Sequence, residues 1–149
     1  MQIGVDSIRD CIPHTRSMRL IDLIGPFDNP GRHISVDLIV DPTRFYWDNS
    51  KNRFKPAWLI ELISQASAAL YFNLCHAKGE PASIGYLVGV KHFEFDSSPS
   101  IVPGDRLRIH SRLTVDFEPF GVFESQVYLA EVALAHCEMT LYTKKETSH

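Results

Sequence analysis

Residues 54–75, FKPAWLIELISQASAALYFNLC, are apolar almost throughout and contain a single carboxylate, Glu61. Pro56 is well suited to the first position of a helix, and the apolar pattern continues to about His76, where AKGEP is a stop signal. A helix that is apolar on nearly every side cannot lie on one sheet with its far side in water. The rest of the chain must therefore wrap around it.

The segments on both sides of this helix have the composition of β-strands. Before it come SMRLIDLIG, which we expect to stop at Gly25-Pro26, and GRHISVDLIV, with Ile34, Val36 and Leu38 on one face. Four β-rich segments follow the helix: SIGYLVGVKHFEF, DRLRIHSRLTVDF, GVFESQVYLAE and VALAHCEMTLYT. A polar and aromatic loop, DPTRFYWDNSKNRFK, separates the second strand from the helix.

The alternation is clearest in the second of these four segments. There the apolar positions alternate with four basic residues that we expect to face water: Arg106, Arg108, His110 and Arg112. We predict a single α+β domain over 1–149, in which a curved antiparallel sheet of five to six strands wraps a long central helix. A second subunit is expected to cover what remains of the helix. We also predict a short helix over Asp6–Cys11 and a disordered tail over 144–149.

Composition excludes several classes of function. The formal net charge of −3 gives no indication of nucleic-acid binding. The apolar helix is not a membrane span, because Glu61, Ser64, Gln65, Ser67 and Asn73 interrupt it. The three cysteines are unpatterned and the seven histidines lack zinc spacing, which favours a reducing, cytoplasmic compartment without a structural metal.

Four strings in the chain are similar to motifs of one family. IPHTRSMRLID resembles LPHRxPMLLLD, PAWLIELISQASAA resembles PGxLxLEAMAQAAA, VGVKHFEFDSSPSIVPGDRL resembles xGIDxxRFRRPVxPGDxL, and AEVALAHCEMTLYT resembles GExVAEAELxxA. Over residues 8–143 the chain thus resembles the hotdog-fold 3-hydroxyacyl-[acyl-carrier-protein] dehydratases, and looks closest to their divergent relatives in aryl-polyene-type pathways.

The resemblance implies a site at a dimer interface. In this family a histidine in a GHFPG loop of one subunit removes the C2 proton of a 3-hydroxyacyl thioester, and an acid on the partner's central helix protonates the leaving hydroxyl. Free amides at a helix N-terminus hold the thioester carbonyl. The acid corresponds to Glu61, and Gln65, one turn later on the same face, would orient it. The resemblance further implies a homodimer or dimer of dimers, an acyl carrier protein or coenzyme A (CoA) thioester as substrate, and no cofactor beyond the substrate's 4'-phosphopantetheine.

The chain departs from the family at the histidine. FYWDNSKN stands where the GHF loop would be, and it contains no histidine. Asp48 of this loop could be the base, although loop aspartates more often stabilise turns. The base could instead be His14 or His92, each of which lies in a matched motif and has a structural alternative. A third alternative is that the protein is not a dehydratase.

Substrate contacts are expected around the start of the helix. Lys51, Arg53 and Lys55 could meet the acidic carrier protein and the pantetheine phosphate, or form an ordinary solvated loop. Three aromatic residues could line an acyl pocket or simply belong to the core: Trp47, Phe54 and Trp58.

Two other functions fit the same fold. Glu61 could activate water in an acyl thioesterase, for which a missing histidine matters less. The chain could also be a non-catalytic acyl-binding protein that completes a heterodimer with a histidine-bearing hotdog subunit.

Overall fold

The computed structural model describes residues 18–81 and 83–145. Within these ranges there is one helix, α1 (Trp58–Ala77). The eight strands are β1 (Leu23–Asp28), β2 (His33–Ile39), β3 (Trp47–Asp48), β4 (Arg53–Phe54), β5 (Ser83–Phe95), β6 (Arg106–Phe117), β7 (Phe120–Leu129) and β8 (Val132–Lys145). The helix predicted over Asp6–Cys11 and the last four residues of the chain lie outside the described ranges.

Six of the strands form one antiparallel sheet in the order β1-β2-β6-β7-β8-β5. The helix packs against β6, β2, β5 and β7 of this sheet. Register shifts within β1, β5, β6 and β7 interrupt the ladder, and such bulges bend and twist strands. One long helix against a curved six-stranded antiparallel sheet is the hotdog architecture, as the sequence predicts.

The prediction that the first strand stops at Gly25-Pro26 is wrong. β1 runs through both residues to Asp28, and its register with β2 shifts between Ile24 and Phe27. Pro26 is tolerated because β1 is an edge strand and the proline falls where the ladder is already irregular. Gly25 is needed there, since a Cβ atom would lie 3.0 Å from the carbonyl oxygen of Ser35.

Two other boundaries differ slightly from the predictions. α1 begins at Trp58, with Ala57 as its N-cap, rather than at Pro56. β8 continues through 144 and 145, the first two residues of the predicted tail, because both pair with the start of β5. The predicted loop between β2 and α1 contains the short β3–β4 hairpin, whose strands join Trp47 to Phe54 and Asp48 to Arg53.

The alternation of β6 is confirmed. The positions that face the helix are buried, and the four basic positions are exposed. On the neighbouring β2, Ser35 and Asp37 face outward yet are buried. Arg108 donates to both carboxylate oxygens of Asp37 at 2.9 and 3.2 Å, so the long side chains of β6 cover β2.

Within the described ranges, no helix is long and apolar enough to cross a membrane. Cys75 and Cys137 are both buried, and neither forms a disulfide bond within the described ranges. Each therefore acts as a small core residue.

Candidate active site at the open face of the helix

One face of α1 is only partly covered by its own chain. The residues on this face are half-buried and follow helical spacing: Trp58, Glu61, Ser64, Ala68 and Phe72. The other faces of α1 are buried, and they pack against the sheet and against residues 18–20. Glu61 therefore lies at the surface of the single chain, and a closed pocket around its carboxyl group would need a second protein surface.

Gln65 is fully buried, and its amide is held from three directions. Its Oε1 accepts the backbone N–H of Leu20 at 2.8 Å. Its Nε2 donates to the carbonyl oxygen of Met18 at 2.9 Å and to Oε1 of Glu61 at 3.2 Å. The two backbone bonds fix which end of the amide is the donor, so Gln65 presents an N–H group to Glu61. The expected contact between these residues is thus present in the structure.

The segment before β1 is anchored beside this pair. Leu20 and Ile21 are buried, and Arg44 donates through Nη2 to the carbonyl oxygen of Arg19 at 2.6 Å. Neither Arg44 nor the backbone of residues 18–20 was singled out from the sequence, because no local pattern marks a residue that binds a distant backbone group. His14 lies outside the described residues.

Two aromatic residues of the loop at the position of the family's histidine loop are packed in the core: Tyr46 and Trp47. Tyr46 is fully buried, accepts the N–H of Asp41 at 2.7 Å and donates to the carbonyl oxygen of Ile39 at 3.3 Å. Burial raises the pKa of the Tyr46 hydroxyl. Trp47 is also buried. Both side chains are packed in the core of the single chain.

Asp48 closes the β3–β4 hairpin. Its Oδ1 accepts the hydroxyl of Ser50 at 2.7 Å and the backbone N–H groups of Ser50 and Lys51 at 3.0 and 3.2 Å. The Ser50 hydroxyl, followed by the Lys51 amide, holds the pKa of Asp48 below its ordinary value. A carboxylate that is stabilised in its charged form is a weak base. This geometry favours the turn-forming role over that of a base.

His92 lies on the edge strand β5, within the bulge between Lys91 and Glu94. It is exposed and has a φ of 55°, which is uncommon for a residue other than glycine. The bulge accounts for this conformation. The unusual backbone conformation of His92 is therefore explained by the bulge, and no contact observed at His92 places it beside Glu61.

Of the three aromatic residues predicted to contact substrate, one remains accessible. Trp47 and Phe54 are buried in the core, whereas Trp58 is half-buried on the face of Glu61. Phe45 packs edge-to-face on Trp58 with ring centroids 4.6 Å apart. The sequence did not distinguish Phe45 from its aromatic neighbours.

The basic residues before the helix are exposed: Lys51, Arg53 and Lys55. Lys55 also donates through Nζ to the carbonyl oxygen of Phe45 at 3.1 Å, and it thereby helps to hold Phe45 in its position against Trp58.

The first amides of α1 are already engaged. The N–H groups of Trp58, Leu59 and Ile60 donate to the carbonyl oxygens three residues before them at 3.0–3.3 Å. The expectation of free amides at this end, ready to hold a thioester carbonyl, is therefore not met at these three positions. The helix dipole remains.

Comparison with known proteins connects this site to a family. A model of the ApeP-like family, described as ApeP dehydratase, matches residues 6–149. The structure of the dehydratase heterocomplex ApeI:P from Xenorhabdus doucetiae is similar, with a TM-score of 0.81 and 21% identity over 97% of this chain and 93% of that chain.

Two structures from streptococci share the fold at lower similarity. A Streptococcus mutans UA159 protein bound to acetyl CoA has a TM-score of 0.64 and 16% identity, covering 91% of this chain and 99% of that one. A hypothetical thioesterase with coenzyme A from Streptococcus pneumoniae TIGR4 has a TM-score of 0.63 and 12% identity, covering 97% and 100%. The family match spans nearly the whole sequence, and the chain belongs to the ApeP-like dehydratase family.

Proposed function

We propose that this chain is one subunit of a dehydratase that removes water from a 3-hydroxyacyl thioester in a polyene-type or fatty-acid pathway. The observation that carries the proposal is the carboxyl group of Glu61, half-buried on the open helix face and held by the buried Gln65. In the proposed reaction a base takes the C2 proton. Glu61 gives its proton to the C3 hydroxyl, which leaves as water, and the C2–C3 double bond forms.

The base is proposed to come from a second subunit. The histidines at positions 33, 110 and 136 line the outer face of the sheet, away from α1. His76 is 15 residues beyond Glu61 on the same helix, which corresponds to about 22 Å at 1.5 Å per residue. Asp48 is committed to its turn. A histidine-bearing hotdog partner would complete the site, and the similar Xenorhabdus structure is described as a dehydratase heterocomplex.

The substrate is proposed to be carried on 4'-phosphopantetheine, attached to acyl carrier protein. The exposed basic residues beside the helix start support an acidic carrier. CoA is the other candidate carrier, because two proteins of the same fold are described with acetyl CoA or CoA. No cofactor of the protein itself is required by this reaction. The absence of a disulfide bond between the described cysteines fits a reducing compartment, and we place the protein in the cytoplasm.

Glu61→Gln is the decisive variant. The chain should be co-expressed with a histidine-bearing hotdog subunit and assayed for formation of the 2,3-enoyl thioester. We expect Glu61→Gln to lower turnover by about 100-fold or more, as loss of a general acid does. Ser64→Ala, on the same helix face, is the matched control and should retain activity. Unchanged turnover by Glu61→Gln in an active complex would contradict the proposal.

A thioesterase is the second candidate, because the Streptococcus pneumoniae structure with the same fold is described as a hypothetical thioesterase. The same incubation separates the two, since hydrolysis releases a free thiol and dehydration does not. A complex whose activity depends on the partner's histidine, but not on Glu61, would instead identify this chain as a non-catalytic subunit.

A further inference from the structure

A depression of about 400 Å³ lies on the outer face of the sheet, across β2, β6, β7 and β8. Its side chains come from all four strands: His33, His110, Arg112, Glu124, Gln126 and His136. The positions that alternate with them on β6 face α1. The depression is therefore separated from Glu61 by the sheet itself, and the proposed dehydration does not use it.

The strand register places part of this set in one row. Ser35 pairs with His110, His110 with Gln126, and Gln126 with His136. The Ser35 hydroxyl lies 2.7 Å from Nδ1 of His110, and the hydroxyl of Tyr128 donates to Oε1 of Gln126 at 2.5 Å. These contacts occupy Nδ1 of the histidine and the oxygen of the amide. What remains for a ligand is Nε2 of His110 and the two N–H groups of Gln126.

Hydrogen-bond donors also dominate the rest of the depression. Arg112 is 61% exposed, and its contact with Glu124 is long, at 3.5 Å. His136 has no side-chain hydrogen-bond partner within the described ranges. His33 contacts Asp28 through Nε2 at 3.2 Å, which leaves its second nitrogen available. Glu124 is the one carboxylate in this lining.

We propose that this depression binds a small oxyanion of the phosphate-monoester class, held by Arg112, His110, His136 and the amide of Gln126. A tetrahedral oxyanion offers several acceptor oxygens at once, which matches donors arriving from three adjacent strands. The guanidinium supplies a permanent charge, and the imidazoles supply further charge when protonated.

Binding is expected to depend on pH. The charged and titratable groups around His110 are His33 and Asp37 on β2, Arg108 and Arg112 on β6, Glu124 and Tyr128 on β7, and His136 on β8. Burial lowers the pKa of His110, and the nearby Arg108 and His33 lower it further. An anion favours the protonated ring, so binding takes up a proton and its affinity rises as the pH falls.

Titration of the full chain with inorganic phosphate at constant ionic strength tests this site. The histidine side-chain NMR signals should shift saturably for His110 and His136. With sulfate, an oxyanion of the same shape whose charge stays constant between pH 6 and pH 8, binding should be tighter at pH 6. Arg112→Gln should weaken binding by about tenfold, since it removes a charge-assisted contact. Glu124→Gln should strengthen binding, because it removes the competing carboxylate. Lys78→Gln, at the exposed end of α1, is the control and should bind like the parent chain.

Parallel titrations define the ligand class. Acetate should bind much more weakly than phosphate, and equal binding would overturn the phosphate assignment. Tighter binding of 4'-phosphopantetheine than of inorganic phosphate would identify the carrier arm as the source, and equal binding would identify the free anion. Unsaturable shifts, or an unchanged affinity in Arg112→Gln, would exclude the site. Near-ultraviolet circular dichroism of each variant shows that it is folded.

Discussion

Gln65 contacts the carboxyl group of the candidate active site and stabilises the fold with the same side chain. A buried amide is costly unless its donors and acceptor are satisfied, and here the backbone of Met18 and Leu20 satisfies both ends. The remaining N–H group is then directed at Glu61. The orientation of the acid is therefore set by the docking of a segment 45 residues earlier in the sequence.

Gln65→Leu should destabilise the protein, because it removes these partners while the N–H group of Leu20 stays buried. We expect the free energy of unfolding to fall by about 1–3 kcal/mol, which corresponds to one unsatisfied buried group. Urea denaturation measures this loss. Ser64→Ala, at the half-buried neighbouring position, should change the stability by less than about 0.5 kcal/mol. A Gln65→Leu protein as stable as the parent would contradict the anchoring role.

The Asp48→Asn variant tests whether Asp48 only stabilises the turn or also acts as the catalytic base. The asparagine oxygen can still accept from Ser50 and Lys51, but it cannot take a proton from a substrate. We expect the active complex to keep most of its turnover with this variant. A loss of about 100-fold without a loss of folding would instead identify Asp48 as the base.

Asp48 should also make the stability of the protein depend on pH in a defined direction. The folded-state pKa of Asp48 is depressed, chiefly by the Ser50 hydroxyl, so its contribution is present above the unfolded-state pKa of about 3.9. It is lost as the pH falls through the folded-state value. The parent chain should therefore lose more stability between pH 5 and pH 2.5 than Asp48→Asn, as measured by urea midpoints at both pH values.

At the scale of elements, a chain of hydroxyl groups joins the helix to the sheet. Ser67 on α1 donates to the carbonyl oxygen of Ile63 at 2.9 Å, and it lies 3.0 Å from the hydroxyl of Ser111 on β6. Ser125 on β7 donates to Ser111 at 3.1 Å. Since each hydroxyl has one proton, Ser111 must donate to Ser67. All three residues are buried, so this series of hydroxyl hydrogen bonds fixes the position of α1 on β6 and β7.

Ser111→Ala should therefore cost about 1–3 kcal/mol, because it leaves the buried hydroxyl of Ser125 without an acceptor. Replacing Ser67, Ser111 and Ser125 together by alanine should cost less than the sum of the three single variants, since their contributions are coupled. Urea denaturation of the three single variants and the triple variant measures the coupling. Ser100→Ala, in an exposed loop, is the control. Strict additivity would show that the hydroxyls act independently.

At the scale of the whole molecule, the open helix face is only partly covered, and within the described ranges no strand pairs with the outer edge of β5. β5 is an edge strand, and its consecutive residues Leu87 and Val88 are 44% and 57% exposed. An apolar edge strand with unpaired backbone groups readily accepts another strand. Together with the half-buried face of α1, this edge is the surface on which the proposed partner would complete the site.

Val88→Lys should weaken assembly with the partner subunit by about tenfold or more, because it places a charge on an apolar edge. Sedimentation equilibrium of the mixed subunits measures the dissociation constant. Val115→Lys is the matched control, since Val115 is similarly exposed, at 50%, but lies on β6 in the interior of the sheet. Equal weakening by both variants would show that the contact is not made through β5.

The sequence by itself determined the elements, their order and the residues that share a face. The period of the apolar pattern gave α1 within two residues and β5 at its observed bounds, and it placed Glu61 and Gln65 one turn apart. These properties depend on residues close in the chain, which is why a local pattern can carry them.

Only the tertiary structure decided what the polar and aromatic residues do. Asp48 forms a turn, Tyr46 joins the core, and Pro26 lies inside an edge strand. The partners that settle such roles are set by the folded chain, not by the residue type. Gln65 binds Leu20 across 45 residues, and no periodicity within α1 indicates that contact. The sequence could therefore locate the acid, whereas its orientation and its open, incomplete surroundings follow from how the chain packs.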